Sequence, residues 1–359
     1  MRSHHTDFTR LILRWYRHHH RPLPWRATED PYRIWISEIM LQQTTVQAVI
    51  PYYEAWIRRF PDIRTLSEAS LQEVLKAWEG LGYYQRAKNI HKAALMFREK
   101  FNEQIPDEYD SLKQVPGFGP YTTAAVLSIA FDKAYPVIDA NVRRVWMRLM
   151  GLELHATPQV DARIKTYMTP FLPPNKIGLF NQAMMEMGAL ICKSKNPMCL
   201  LCPVPDFCKA FEKGEQEIIP RPMKRSYRKI EAVICLVKKQ DKYLIQKRPP
   251  KGLLADLWEF PGGKRKSGET LEEALSREIN EELKAEVTKA EPLTSVKHAY
   301  TQFLVTLHAF SCTLKGLPPL PKEKYRWVSL KAMKHYPFPS GSAKIIQFLE
   351  KQKKSFLNQ

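Results

Sequence analysis

CKSKNPMCLLCPVPDFC, the stretch from Cys192 to Cys208, decides how this chain is read. Its four cysteines run C-x6-C-x2-C-x5-C and close a long segment of helical pattern. Thiolates crowded into one short loop, Cys192, Cys199, Cys202 and Cys208, are a ligand set for a [4Fe–4S] cluster. The spacing is too uneven for a pair of zinc knuckles, although a structural zinc site uses the same soft ligands. Disulfides fit less well. The N-terminal MRSHHTDFTR has no apolar stretch of the signal-peptide kind. The chain is therefore expected in a reducing compartment, the cytoplasm (with the nucleoid, in a bacterium), where cysteines hold metals rather than each other. Cys235 and Cys312 sit in apolar runs and are expected to pack as small hydrophobes.

Working outward, the 359 residues favour two domains. The formal net charge of +19 points to a polyanionic partner. No apolar run approaches membrane-spanning length, so no membrane span is expected. Residues 7–211 read as helices: Leu71, Val74, Leu75 and Trp78 recur on one helical face, and Tyr121–Phe131 and Asn141–Met150 form two more apolar helices. Residues 212–229 are polar, basic and broken by prolines, as a linker is. From Ile230 the pattern turns to strands. EAVICLV, a polar turn and KYLIQKR form a plausible hairpin, a helix spans Thr270–Leu283, and short strands surround 303–310 and 326–328. The expected architecture is a mainly α domain over 1–211, a linker over 212–229, and an α+β domain over 230–359.

LKQVPGFGPY, Leu112 to Tyr121, is the second informative stretch. Pro116 stops one helix, Gly117 and Gly119 allow a tight turn, and a new helix starts near Tyr121 with Thr122 in its first turn. Backbone N–H groups at such a helix start suit an anion, and a DNA phosphate is the natural guest. Tight helix connections use the same residues, so this hairpin alone is weak. It gains weight from Asp139, twenty residues beyond Gly119, and from the cysteine loop beyond that.

This ordered set resembles the endonuclease III superfamily of base-excision DNA glycosylases and, within it, the adenine DNA glycosylases. The segments that carry the resemblance are LPWR (23–26), SEIMLQQT (37–44), EGLGYYQRAKNIHKAA (79–94), VPGFGPYT (115–122), VIDANVRRV (137–145) and FNQAMMEMGALIC (180–192). The resemblance implies a helix–hairpin–helix glycosylase domain with an iron–sulfur loop. Its partner would be duplex DNA carrying adenine opposite 8-oxoguanine or G, met by a monomer.

Breaking the bond to adenine requires protonating the base and stabilising the sugar cation, work for two carboxylates of different pKa. Glu38, among Ile34, Trp35, Ile36, Ile39 and Met40, is the candidate acid, since an apolar setting raises a carboxyl pKa. The resemblance assigns it to N7 of the adenine, and assigns Asp139 to the sugar C1′. Apart from the resemblance, Glu38 reads equally as a surface carboxylate, and Asp139 as a helix cap before Ala140–Val145. Relatives that also cleave the strand carry a lysine where Tyr121 stands, so the chain is expected to remove a base without efficient strand cleavage. The resemblance further implies that Gln43 and Tyr83 wedge into the stack around the orphan base. It also places Arg26, Asn141 and Gln182 near the flipped adenine. Arg86, Lys88, Arg143 and Arg144 are candidate phosphate contacts. An endonuclease III-type pyrimidine-lesion glycosylase/lyase is the alternative.

EFPGGKRKSGETLEEALSREINEEL, 259–283, resembles the Nudix box. Gly263, Glu269, Arg277, Glu278, Ile279, Glu281 and Glu282 fall in register, and Lys284 replaces the expected glycine. Three glutamates at i, i+3, i+4 could hold Mg²⁺ against a pyrophosphate. In adenine DNA glycosylases a Nudix-like domain reads 8-oxoguanine instead, and Tyr300, Thr301 and Gln302 align with its lesion-reading loop. Added pyrophosphatase activity is the alternative here.

Overall fold

In the computed structural model, which describes residues 2–223, 227–300 and 303–357, the chain divides into two units. One comprises Met1–Glu68 with Asn89–Lys224, and the other Ala69–Lys88 with Arg225–Gln359. Residues 69–88, a helical stretch in the first half of the sequence, thus belong by their contacts to the second unit.

The first unit is helical. Its centre is built from the helices Pro31–Leu41, Pro120–Phe131, Ala140–Met150 and Ile177–Leu190. Pro120–Phe131 starts on Gly119, with Pro120 supplying a preset φ and lacking only an N–H that would have no helical partner. It ends on Asp132 in a left-handed conformation (φ 51°). The Asp132 carboxylate then accepts from the backbone N–H groups of Lys176 (2.7 Å) and Gly178 (3.1 Å), which start the next core helix. One residue therefore closes one helix and caps another.

Helix Ile177–Leu190 is pinned at both ends by close approach. A Cβ on Gly178 would stand 2.4 Å from the Ser128 carbonyl oxygen, and one on Gly188 would stand 2.7 Å from Asn141 Cβ. The hairpin before Pro120–Phe131 is anchored by Phe118, which stacks on Trp35 (5.6 Å) and meets Phe97 edge-on (5.8 Å). That leaves Gly119 exposed, while Gly117 takes φ 89°. Within 212–229, Ile219 is buried in the helical core, its carbonyl accepting from Arg148, and Arg221 pairs with Glu153 (2.8 Å).

The second unit holds a mixed sheet of β1 (Arg228–Lys239), β2 (Lys242–Lys247), β3 (Trp258–Glu259), β4 (Gly262–Lys264), β5 (Glu286–Tyr300), β6 (Phe303–Lys315) and β7 (Tyr325–Ser329). The main path is β3-β2-β1-β6-β5, with β4 on β1 and β7 on β2. Among the described residues, only β1 and β6 run parallel. Alternate residues of β1 serve two cores. Val233, Cys235 and Val237 face helix Leu271–Leu283, whereas Ile234 and Leu236 join Phe338, Ile345 and Leu349 on the other face. A strand buried on both sides reads as an unbroken apolar run, as AVICLV does. Cys235 and Cys312 are buried in the first of these cores. Strand β5 was not expected from its sequence, EVTKAEPLTSVKHAY. It pairs only with β6 among the described residues, and its register shifts at Val287/Lys289 and Pro292/Thr294, which breaks the two-residue alternation.

Because Gly188 sits against Asn141, Gly188→Ala should lower stability by about 1–3 kcal/mol. Urea unfolding would show this as a lower midpoint at an unchanged slope.

Candidate active site

A pocket of about 960 Å³ opens in the helical unit. Arg26, Glu38, Gln43, Tyr121, Asp139, Asn141 and Gln182 all line it. They come from five separate segments, brought together by the packing of the four core helices.

Helix Pro31–Leu41 is capped by Asp30, whose carboxylate accepts from Tyr32 N–H (2.9 Å). Every residue from Ile34 to Met40 is buried, and Glu38 is 6% exposed, so the surface reading of this carboxylate does not apply. Tyr121 Oη donates to Glu38 Oε2 at 2.6 Å. Burial pushes the Glu38 carboxyl up to about 7, the Asp139 charge adds to the rise, and the Tyr121 hydrogen bond and Arg26 oppose it. The Tyr121 phenol is itself held well above the usual phenol range by burial and by both carboxylates, so it remains a donor.

Asp139 is a helix cap and a pocket residue at once. It accepts from Val142 N–H (2.6 Å) at the start of Ala140–Met150 and from Asn141 Nδ2 (3.1 Å). Burial raises its pKa, against hydrogen bonds from Val142 and Asn141 that favour the charged form. A polar chain runs on from it. Asn141 Oδ1 accepts from Arg144 (3.0 Å), and the same guanidinium donates to the carbonyls of Cys192 (2.8 Å) and Gly188 (2.7 Å).

Glu186 was not singled out from sequence. It is 1% exposed, yet Arg21 grips it through two guanidinium bonds (2.8 and 2.7 Å) and its backbone N–H (2.9 Å), and Arg26 adds another at 2.7 Å. Burial alone would raise its carboxyl, but the bonds from Arg21 and Arg26 outweigh it and hold the pKa at about 2. Arg26 is thereby fixed over the pocket, its guanidinium 5.5 Å from the Tyr16 ring, while Tyr16 Oη donates to Gln182 (3.0 Å). The available signal was one charge in the otherwise uncharged helix IGLFNQAMMEMGAL.

Not every expected residue lies at the pocket. Gln43 and Tyr83 both take left-handed backbone conformations (φ 57° and 48°), but Tyr83 lies in the second unit. Thr122 is buried and its hydroxyl accepts from Gln42 (3.3 Å). The basic residues read as candidate phosphate contacts all have partners within the protein. Lys88 is buried against Asp256 (2.6 Å), Arg86 donates to the Leu81 and Gly82 carbonyls, and Arg144 serves the chain above. Arg143 lines the pocket but pairs with Asp161 (2.5 Å). Thr301 and Gln302 lie outside the described residues, and of Tyr300 only the backbone, ending β5, is described.

Cys192, Cys199, Cys202 and Cys208 line one cavity, walled by Val145, Leu149 and Met187. Arg148, itself buried, donates to Cys192 Sγ at 3.2 Å. Among the described residues no group of three or more Cys, His, Asp or Glu could hold a single metal ion. Four soft thiol donors lining one cavity are the ligand chemistry of an iron–sulfur cluster.

In the Nudix-like segment, Arg277 binds Glu269 (2.6 and 2.9 Å) and Glu278 (2.8 Å), while Glu282 accepts from Gln246 (2.8 Å) and Gly262 N–H (3.0 Å). Glu281 points outward toward Arg277 (3.5 Å). Lys284 ends the helix at φ 53°, the left-handed position that explains why a glycine is expected there.

Residues 36–170 match the family of HhH-GPD superfamily base excision DNA repair proteins, and residues 232–348 match the NUDIX domain. A solved thermostable thymine-DNA glycosylase superposes with a TM-score of 0.53 at 28% identity, over 58% of this chain and 97% of its own. A trapped endonuclease III–DNA intermediate, at 22% identity and a TM-score of 0.51 over 60% of this chain and 98% of its own, shares the fold. The class is therefore a helix–hairpin–helix base-excision repair protein carrying a NUDIX domain. An adenine DNA glycosylase of Buchnera aphidicola (Acyrthosiphon pisum) is 33% identical over 96% of this chain and 98% of its own length. That of Rattus norvegicus is 30% identical over 97% of this chain and 79% of its own. The chain belongs to the adenine DNA glycosylase family.

Glu38 also sets a pH dependence of stability. In the folded protein it keeps its proton to about pH 7, whereas its ordinary value is 4.5. Between those values the folded state binds more protons than the unfolded chain, so stability falls as pH rises through the window, by about 3 kcal/mol in all. Glu38→Gln should remove that fall. Urea melts of both proteins from pH 4.5 to 8 should converge at the acid end and favour the variant at the alkaline end.

Proposed function

We propose that this protein flips adenine out of duplex DNA and hydrolyses its N-glycosidic bond when the base opposite is 8-oxoguanine or G. The observation that carries the reading is two carboxyls in one pocket, Glu38 buried and poised near neutrality and Asp139 half-buried. Glu38, protonated, donates to N7 of the extrahelical adenine. The bond from C1′ to the base then breaks with its electron pair passing to adenine, which leaves neutral. Asp139, ionised, stabilises the cation at C1′, and water adds there with loss of a proton. Tyr121 orients the Glu38 carboxyl by its hydrogen bond and has no amine to trap the sugar, so strand cleavage does not follow. Arg26, Asn141 and Gln182 offer donors and acceptors to the base and sugar.

The helical residues 1–211 carry excision and 230–359 read the base opposite, joined through 212–229. Gln43 and Tyr83 fill the stack, their strained backbones being what loop residues at such sites show. Gly117, Gly119 and the Thr122 N–H receive a phosphate, and Tyr300, Thr301 and Gln302 read the lesion edge. Cys192, Cys199, Cys202 and Cys208 would hold a [4Fe–4S] cluster, whose contribution when bound is to cross-link the loop. The net charge of +19 supports a DNA partner. No described helix is long and apolar enough to cross a membrane. The reading is of a monomer acting in the cytoplasm.

Single-turnover adenine release should be fast opposite 8-oxoguanine, slower opposite G, and fall by on the order of 10²-fold or more in Glu38→Gln. The wild-type rate should drop as pH rises above about 7, following loss of the Glu38 proton. Release unaffected by Glu38→Gln, or abundant borohydride-trapped adduct, would overturn the mechanism. Protein purified without oxygen should contain about four irons per chain; stoichiometric zinc instead would refute the cluster.

A further inference from the structure

Residues 72–88 are fastened to the C-terminal fold by polar bonds on both sides of the Gly80–Tyr84 loop. Before the loop, the Gln72 amide donates to the Asp256 carbonyl (3.0 Å) and accepts from Trp258 Nε1 (3.0 Å), and Lys76 donates to the Tyr336 carbonyl (3.1 Å). The Phe338 peptide is held at both its polar atoms: its N–H donates to Glu79 (2.8 Å), and its carbonyl accepts from Tyr84 Oη (2.9 Å). After the loop, Lys88, 7% exposed, pairs with Asp256 at 2.6 Å. Between these anchors Gly80, Gly82 and Tyr83 all take positive φ (102°, 71° and 48°). Tyr83 therefore sits in a turn that an L-residue adopts at a cost, so its shape is imposed by what flanks it.

We infer that Asp256 and Tyr84 are positioning residues for Tyr83, so that the unit reading the base opposite also aims the side chain that enters the stack beside it. This rests on the role given to Tyr83 under the proposed function. The bonds anchor the loop at both ends to the same C-terminal elements, the 256–258 segment and Phe338. Lesion reading and wedge insertion are then one rigid event rather than two independent contacts.

The test uses the full chain with Asp256→Asn, Tyr84→Phe, Tyr83→Ala and the doubles with Tyr83→Ala. Substrates are duplexes with adenine opposite 8-oxoguanine and 2-aminopurine beside the orphan base. Positioning predicts that Asp256→Asn and Tyr84→Phe each slow adenine release on the order of tenfold or more. Each should also reproduce the 2-aminopurine signal of Tyr83→Ala and add nothing further in the doubles. Losses that multiply with Tyr83→Ala at an unchanged 2-aminopurine signal would show a merely structural role and overturn the inference, as would no loss in either variant. Amide exchange at 80–84 is read in parallel. Its increase in Asp256→Asn supports the clamp even if wild-type protein releases no adenine, a result that would instead sink the proposed function; unchanged exchange overturns the clamp itself.

Discussion

The carboxylate of Asp139 is the point on which the helical unit turns. It must cap Ala140–Met150, and the capping bond to Val142 fixes where its charge stands relative to Glu38. Asn141 and Arg144 extend that constraint to the Cys192 carbonyl, so the loop of four cysteines and the pocket share one line of hydrogen bonds. Gly188 is part of the same arrangement, because only a residue without a Cβ lets the Ile177–Leu190 helix lie so close to Asn141. A cap is ordinarily a local device. Here its line of hydrogen bonds joins two helices and a loop.

Glu38 shows the opposite use of burial. Nothing nearby fully compensates its charge, since the facing Asp139 repels it and Arg26 is engaged by Glu186. The proton is retained, and the group becomes an acid at neutral pH at the expense of stability above it. Glu186, equally deep, is gripped by two arginines and stays ionised. Two buried glutamates in one pocket thus differ because one has cationic partners of its own and the other has a phenol.

In the second unit, three glutamates of the Nudix-like segment are hydrogen-bonded within the protein, while Glu281 stays exposed. Glu269 and Glu278 satisfy Arg277, and Glu282 holds the Gly262 N–H and Gln246. The hydrogen bonding of Glu282 ties helix Leu271–Leu283 to the start of β4. Within this fold the segment also braces helix against sheet.

Much of this protein was legible before any coordinates. The helices near Tyr121–Phe131, Asn141–Met150 and Thr270–Leu283 followed from apolar pattern, and the quoted segments led to the adenine DNA glycosylase family. Glu38 and Asp139 could be named from residue type, spacing and resemblance. What could not be read was long-range. Glu186 was hidden because its arginines lie some 160 positions away. Arg144 and Lys88 looked like free cations because their partners are remote. Strand β5 was hidden by a proline and two register shifts that erase alternation. The assignment of residues 69–88 to the second unit has no local trace, since the contacts that decide it reach Asp256 and Phe338. Sequence by itself determined most of the helical and strand pattern, the chemistry-bearing residue types and the family, because these depend on local pattern. Only the tertiary structure decided which charges are paired, which carboxyl keeps its proton and which unit holds Tyr83, because burial and pairing are properties of distance in space.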